Sequence, residues 1–109
     1  RGQYDVVLCD VPCSGSGAWR RAPQGKWLLT ADGLTQLGDV QSDILQQAAR
    51  LVTPGGILVY TTCSVLAQEN MGQLVKFIAA TPEWDCDFSR QFLPSEGGDG
   101  FFVGHLRRV

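Results

Sequence analysis

The chain has 109 residues, 44% of them hydrophobic, and a formal net charge of −2. That length sets one small domain rather than two, and the apolar share excludes a disordered composition. The charge excludes a chain-wide basic footprint for nucleic acid, and no apolar run is long enough to span a bilayer. With no amino-terminal signal pattern either, a soluble cytoplasmic protein is expected.

In chain order, Tyr4 to Asp10 reads as a strand: short, β-branched and nearly continuous in apolar residues, like a central parallel strand buried on both faces. Residues 11 to about 38 read as a long connection, with Gly15, Gly17, Pro23 and Gly25 and a turn near Asp32 to Leu37. A helix then starts at Gly38 or Asp39, with Val40, Ile44, Leu45, Ala48, Leu51 and Val52 on one stripe. Thr53-Pro54-Gly55-Gly56 stops it. A second strand is predicted over Ile57 to Thr62. A second helix follows from Leu66 or Ala67, turning Met71, Leu74, Val75 and Ile78 inward, with Glu69 in its first turn complementing the dipole. Thr81-Pro82 ends it. Trp84 to Phe88 and Phe101 to Leu106 read as two further strands around an irregular stretch, Phe92 to Asp99. A right-handed crossover makes the first two strands parallel and adjacent.

The feature that points to chemistry is a pair of cysteines at the ends of those two strands. Cys13 lies in Asp10-Val11-Pro12-Cys13-Ser14-Gly15-Ser16-Gly17 and Cys63 in Thr61-Thr62-Cys63-Ser64. If the strands are parallel neighbours, about 4.8 Å apart, both thiols lie at the carboxyl edge of one sheet, where open α/β sheets bind ligands. Pro12 makes the first turn rigid, and Gly15 and Gly17 permit close backbone approach. Asp10 stands at the strand tip, either as a partner for a heterocycle or as a cap on the Ser14 or Gly15 backbone. Cys9 and Cys86 read as small core residues. No Cys-x-x-Cys occurs, and His105 is the sole histidine, so the spacing offers no metal site.

Together these segments resemble the Sun/Fmu (Nop/Sun, RsmB-like) family of S-adenosylmethionine-dependent RNA cytosine-5 methyltransferases. The likeness rests on both cysteine motifs, on Lys26-Trp27, on Gln41 to Leu51 with Pro54-Gly55-Gly56, on Glu69-Asn70, and on Asp99-Gly100-Phe101-Phe102. Val11 stands where the family usually has Ala, and Thr61 where it usually has Ser. The resemblance implies an α/β fold: the carboxyl-terminal half of a Rossmann-like class I methyltransferase sheet, mostly parallel with an antiparallel last strand. The family's glycine-rich cofactor loop would precede Arg1, so residues 1–109 are expected to form a partial catalytic domain, inactive alone and with an open strand edge through which it self-associates.

The resemblance further implies that Cys63 is the nucleophile, attacking carbon-6 of cytosine. Asp10 would hold the base, Cys13 would assist product release, and Asp10 and Pro12 would lie against S-adenosyl-L-methionine. The substrate would be RNA, ribosomal before transfer, with the target base unpaired or flipped out. Arg20, Arg21 and Lys26 are candidates for phosphate contacts, and Trp19 and Trp27 for stacking. Arg107 and Arg108 read as solvated surface. Asn70 and Glu69 read as helix-capping residues.

Two other classes compete. A cysteine phosphatase would use Cys13 with Arg20, but these are seven positions apart, one too many for Cys-x5-Arg, and Cys63 would have no role. A non-catalytic methyltransferase-like module is the other.

Overall fold

The computed structural model describes residues 4–16, 30–93 and 100–109. In chain order the elements are β1 (Tyr4–Asp10), α1 (Ala31–Ala49), β2 (Val52–Thr62), a 3-10 turn (Ala67–Glu69), α2 (Met71–Ala80), β3 (Trp84–Phe92) and β4 (Phe101–Arg108). The sheet order is β1-β2-β4-β3. β1 and β2 are parallel, and β4 runs antiparallel to both of its neighbours. The fold is therefore α/β, with the last strand reversed.

Register fixes which side chains share a face. Cys9 pairs with Tyr60, Tyr60 with Gly104, and Gly104 with Ser89. Side chains alternate along a strand, so Leu58, Tyr60, Thr62, Phe102 and Leu106 join Cys9 on one face. Both helices pack on that face. α1 contributes Leu45 and Ala49, and α2 contributes Leu74 and Phe77. The Phe77 and Trp84 rings meet edge to face at 5.6 Å. Leu58, Leu74 and Leu106 are fully buried, each worth about 1.5–3 kcal/mol of transfer free energy. On the opposite face Val6, Leu8 and Phe88 are exposed, and among the described residues no helix covers them.

Several boundaries differ from the sequence reading. α1 starts a full two turns early, because Thr30 caps it: its Oγ1 accepts from the Gly33 backbone N–H at 2.9 Å. The turn expected near Asp32 to Leu37 is helix. α1 ends at Ala49, ahead of Pro54, and its buried face runs through Gln41, Leu45 and Ala49 rather than through Val40 and Leu51, which are exposed. Thr53-Pro54-Gly55-Gly56 belongs to β2. There it forms a bulge: Tyr4 pairs with Val52 and Val6 with Ile57, so four residues of β2 stand opposite Asp5 alone. Gly55 has φ +81°, and a Cβ on Gly56 would lie 2.9 Å from the Asp5 carbonyl oxygen. β3 extends to Phe92 because Arg90, Gln91 and Phe92 continue the pairing with Val103, Phe102 and Phe101.

On α2, Leu74 and Phe77 point in, whereas Met71 and Val75 are exposed. Among the described residues β1 is an edge strand with Tyr4, Val6 and Leu8 exposed, not a strand buried on both faces. Arg107 is half-exposed beside Asp87 at 3.6 Å. Arg108 is more than solvated surface: its guanidinium donates to the Val52 carbonyl at 2.6 Å, tying β4 to the start of β2. Cys9 is buried as expected, and Cys86 packs partly buried against the core.

α2 sits close to the sheet because position 104 lacks a side chain. A Cβ there would lie 2.4 Å from Leu74 Cδ1. Gly104→Ala is therefore expected to destabilise the fold by about 1–3 kcal/mol. The cost should shrink in a Leu74→Ala background, where the obstructing methyl is gone. A double-mutant cycle of urea midpoints checks this; equal costs in both backgrounds would contradict the packing account.

Candidate active site

The parallel ladder between β1 and β2 is unbroken from Val6–Ile57 to Asp10–Thr61. It continues one residue further, with the Val11 N–H donating to the Thr61 carbonyl at 3.2 Å. Both chains leave the sheet at the same level, which puts the Cys13 and Cys63 loops on one edge. Cys63 is exposed and Cys13 half-buried, and both are free thiols. The two also sense each other. Burial is the main cause that pushes the Cys13 thiol above its ordinary value; backbone hydrogen bonds from Gly15 and Cys63 to its sulfur oppose the shift, and the Glu69 and Cys63 charges add to it. A raised proton affinity keeps Cys13 in its thiol form at neutral pH, where it is a weak nucleophile. Cys9 lies one layer below, its thiol pushed up to about 11 by burial and then by Asp10.

The two loops are held by a residue that the sequence reading assigned to helix capping. Glu69 is 1% exposed and sits at the end of the 3-10 turn, ahead of α2. Its Oε1 accepts from the Ser14 hydroxyl at 2.6 Å and from the Ser64 hydroxyl at 2.5 Å. Its Oε2 accepts from the Ser14 backbone N–H at 2.8 Å and from Gln41 Nε2 at 3.0 Å. Ser14 follows Cys13 and Ser64 follows Cys63, so one carboxylate joins both cysteine loops to α1. A second strut runs between the serines: the Ser16 and Ser64 hydroxyls are 3.0 Å apart, and Ser16 Oγ accepts from the Val65 N–H at 2.9 Å. Gln41 closes the other side, donating also to the Pro12 carbonyl at 2.9 Å.

Asn70 does not cap α2 with its side chain. It is 1% exposed and supports the Cys63 loop from beneath. Its Oδ1 accepts from Thr62 Oγ1 at 2.5 Å, and its Nδ2 donates to the Ser64 carbonyl at 2.8 Å. Tyr60 reaches the same turn, its hydroxyl donating to the Glu69 carbonyl at 2.6 Å. Burial, ahead of the neighbouring Cys9, Glu69 and Cys13, pushes that phenol well above its ordinary value.

Asp10 is exposed at the tip of β1, its Oδ1 accepting from Thr61 Oγ1 at 3.3 Å. It does not cap Ser14, whose N–H goes to Glu69. Pro12 is exposed beside it. Asp10, Pro12, Cys13 and Cys63 thus share one edge. Arg20, Arg21, Lys26, Trp19, Trp27 and Asp99 lie outside the described residues. A signal for Glu69 is present in the sequence: Cys13 and Cys63 are each followed directly by serine, and paired hydroxyls at paired loops invite a shared acceptor.

The family model described as 16S rRNA methyltransferase RsmB/F matches residues 1–107. A Ribosomal RNA small subunit methyltransferase B from Proteus mirabilis is 42% identical over 107 residues, which cover 97% of this chain and 25% of that protein. Among solved structures, PH0851 superposes with a TM-score of 0.88 at 32% identity, covering 95% of this chain and 26% of that one. NSun6 from Pyrococcus horikoshii, solved with SFG, superposes with a TM-score of 0.83 at 25% identity, over 99% of this chain and 31% of that one. The chain spans about a quarter of the length of the curated relatives it matches.

Because its proton affinity is raised, Cys13 should alkylate slowly near neutrality, and its rate should keep rising with pH beyond the ordinary thiol value. Iodoacetamide labelling followed by peptide mass gives the profile. A midpoint at or below that value would contradict the burial of the sulfur.

Proposed function

The chain belongs to the 16S rRNA methyltransferase RsmB/F family, and from that premise we propose that it carries the two thiols of an S-adenosylmethionine-dependent RNA cytosine-5 methyltransferase. The activity is that of a polypeptide of the relatives' length, with ribosomal RNA as substrate. What supports the reading is the pair of cysteine loops at one sheet edge, both tied to one buried carboxylate.

In this reading the Cys63 sulfur, the exposed one, forms a bond to carbon-6 of a cytosine. The electron pair of the 5,6 double bond becomes available at carbon-5, and Asp10 assists protonation of the ring nitrogen. S-adenosylmethionine supplies the methyl group when bound. A proton then leaves carbon-5 with the help of Cys13. The ring nitrogen gives its proton back to Asp10, the double bond re-forms, and the bonding pair returns to the Cys63 sulfur as it departs. Asp10 and Pro12 are exposed at the end of β1, where they fit one side of a cofactor site. Arg20, Arg21 and Lys26 are assigned to RNA phosphates. In this reading the partial domain is inactive alone, and the exposed Val6 and Leu8 side chains on the edge strand support its self-association.

Replacing each thiol should give opposite signatures. Cys63→Ala is expected to reduce methylation of substrate RNA to background and to leave no adduct. Cys13→Ala is expected to accumulate a covalent RNA–protein species on denaturing gels. Normal turnover by Cys13→Ala would sink the role given to that residue, and turnover by Cys63→Ala would sink the covalent route.

A further inference from the structure

Glu69 is buried, ionisable and unused by the chemistry just described. Four donors converge on its two oxygens: the Ser14 and Ser64 hydroxyls, the Ser14 backbone N–H and the Gln41 amide. An ionised carboxylate is an acceptor only, with about four lone-pair sites, so this arrangement uses the whole of its capacity. Ser64 gives its proton to Glu69, so its oxygen is the acceptor for the Leu66 N–H at 3.0 Å and for Ser16. Ser14 gives its proton likewise, and its oxygen accepts from the Ser16 N–H at 3.2 Å. The 3-10 turn that carries Glu69 is itself pinned by Tyr60 in β2, through the carbonyl of the same residue. The carboxylate is therefore a fixed point on the sheet, and each cysteine loop is attached to it one residue beyond the thiol.

The geometry points to Glu69 as the positioning residue that sets the distance between Cys13 and Cys63. Without it, the loop after β1 loses both its hydroxyl and its backbone anchor, while the loop after β2 keeps Asn70. Among the described residues, the ties left between the two loops would be the Ser16 hydroxyl on Ser64 and Val65 and the Cys63 N–H on the Cys13 sulfur. An amide in place of the carboxylate keeps one acceptor oxygen and puts a two-proton donor where the other stood, so even an isosteric change forces the hydroxyls, the Ser14 N–H or the Gln41 amide to re-pair. The consequence for turnover rests on the two-thiol reading above; the consequence for thiol separation does not.

The experiment uses a polypeptide of the relatives' length carrying this chain, as wild type and as Glu69→Gln. Dibromobimane, which fluoresces once it bridges two thiols, reports the Cys13–Cys63 distance, with the bridged pair identified by peptide mass. In Glu69→Gln with an unchanged far-ultraviolet spectrum, bridging should slow roughly fivefold or more. kcat should fall about 10–100-fold, with KM for RNA held within about twofold, as expected when misplacement rather than binding is at fault. Bridging at the wild-type rate in folded Glu69→Gln overturns the inference. Should that variant not fold, Ser14→Ala and Ser64→Ala decide: each removes one arm and should slow bridging, and wild-type rates in both overturn it. Slow bridging in Glu69→Gln of a polypeptide whose wild type methylates no RNA would uphold the positioning role and sink the proposed reaction instead.

Discussion

A single buried carboxylate joins the segments on which the candidate site depends. Glu69 accepts from the loop after β1, from the loop after β2 and from α1. Sequestering an ionisable group away from water costs several kcal/mol unless its partners are all in place. Here they are, and a hydrogen bond to an ionised group contributes more than one between neutral groups. No strand end can leave without taking at least one of the four donors from the carboxylate. The network continues into α2, where Gln73 Nε2 reaches Gln41 Oε1 at 3.3 Å and the Gly38 carbonyl at 2.8 Å. Gln73 Oε1 is the one buried side-chain polar atom among the described residues that lacks a partner.

The hydrophobic core holds this polar column in place. Tyr60 belongs to both: its ring meets Phe102 edge to face at 6.4 Å, while its hydroxyl takes the Glu69 carbonyl. A buried phenol needs such a partner, and the partner it finds is the turn that carries the carboxylate. Asn70, the next residue, spends its amide on the Ser64 carbonyl and on Gln91 at 2.6 Å. The β3 strand thereby reaches across β4 to support the Cys63 loop.

How much of this was legible varies by the range of the signal. The two parallel strands and their thiol-bearing ends could be read because apolar runs and turn residues are local features. The start of α1 is hard to read because Thr30 is a modest cap in a stretch of weak periodicity, and Gly33 and Gly38 lower its apparent propensity. The exposure of Met71 and Val75, against an expectation of burial, follows from which side of α2 meets Gly104, and that is a tertiary matter. Glu69 was assigned to the helix dipole for the same reason. An acidic residue in a first turn has an ordinary local explanation, whereas two of its partners, Ser14 and Gln41, are 55 and 28 residues away in sequence.

The bulge early in β2 separates two kinds of tolerance along this chain. Between Val52 and Ile57 the strand carries more residues than its neighbour needs, and the Pro54-Gly55 reversal takes up the excess. Gaining or losing a residue there leaves the downstream ladder in phase. The same change between Ile57 and Thr62 would shift one sulfur by a full strand step, about 3.3 Å, and swap the two faces of everything after it. Length variation among natural sequences of this kind should accordingly gather at the amino end of the β1–β2 ladder and be absent from the segment that leads to the thiols.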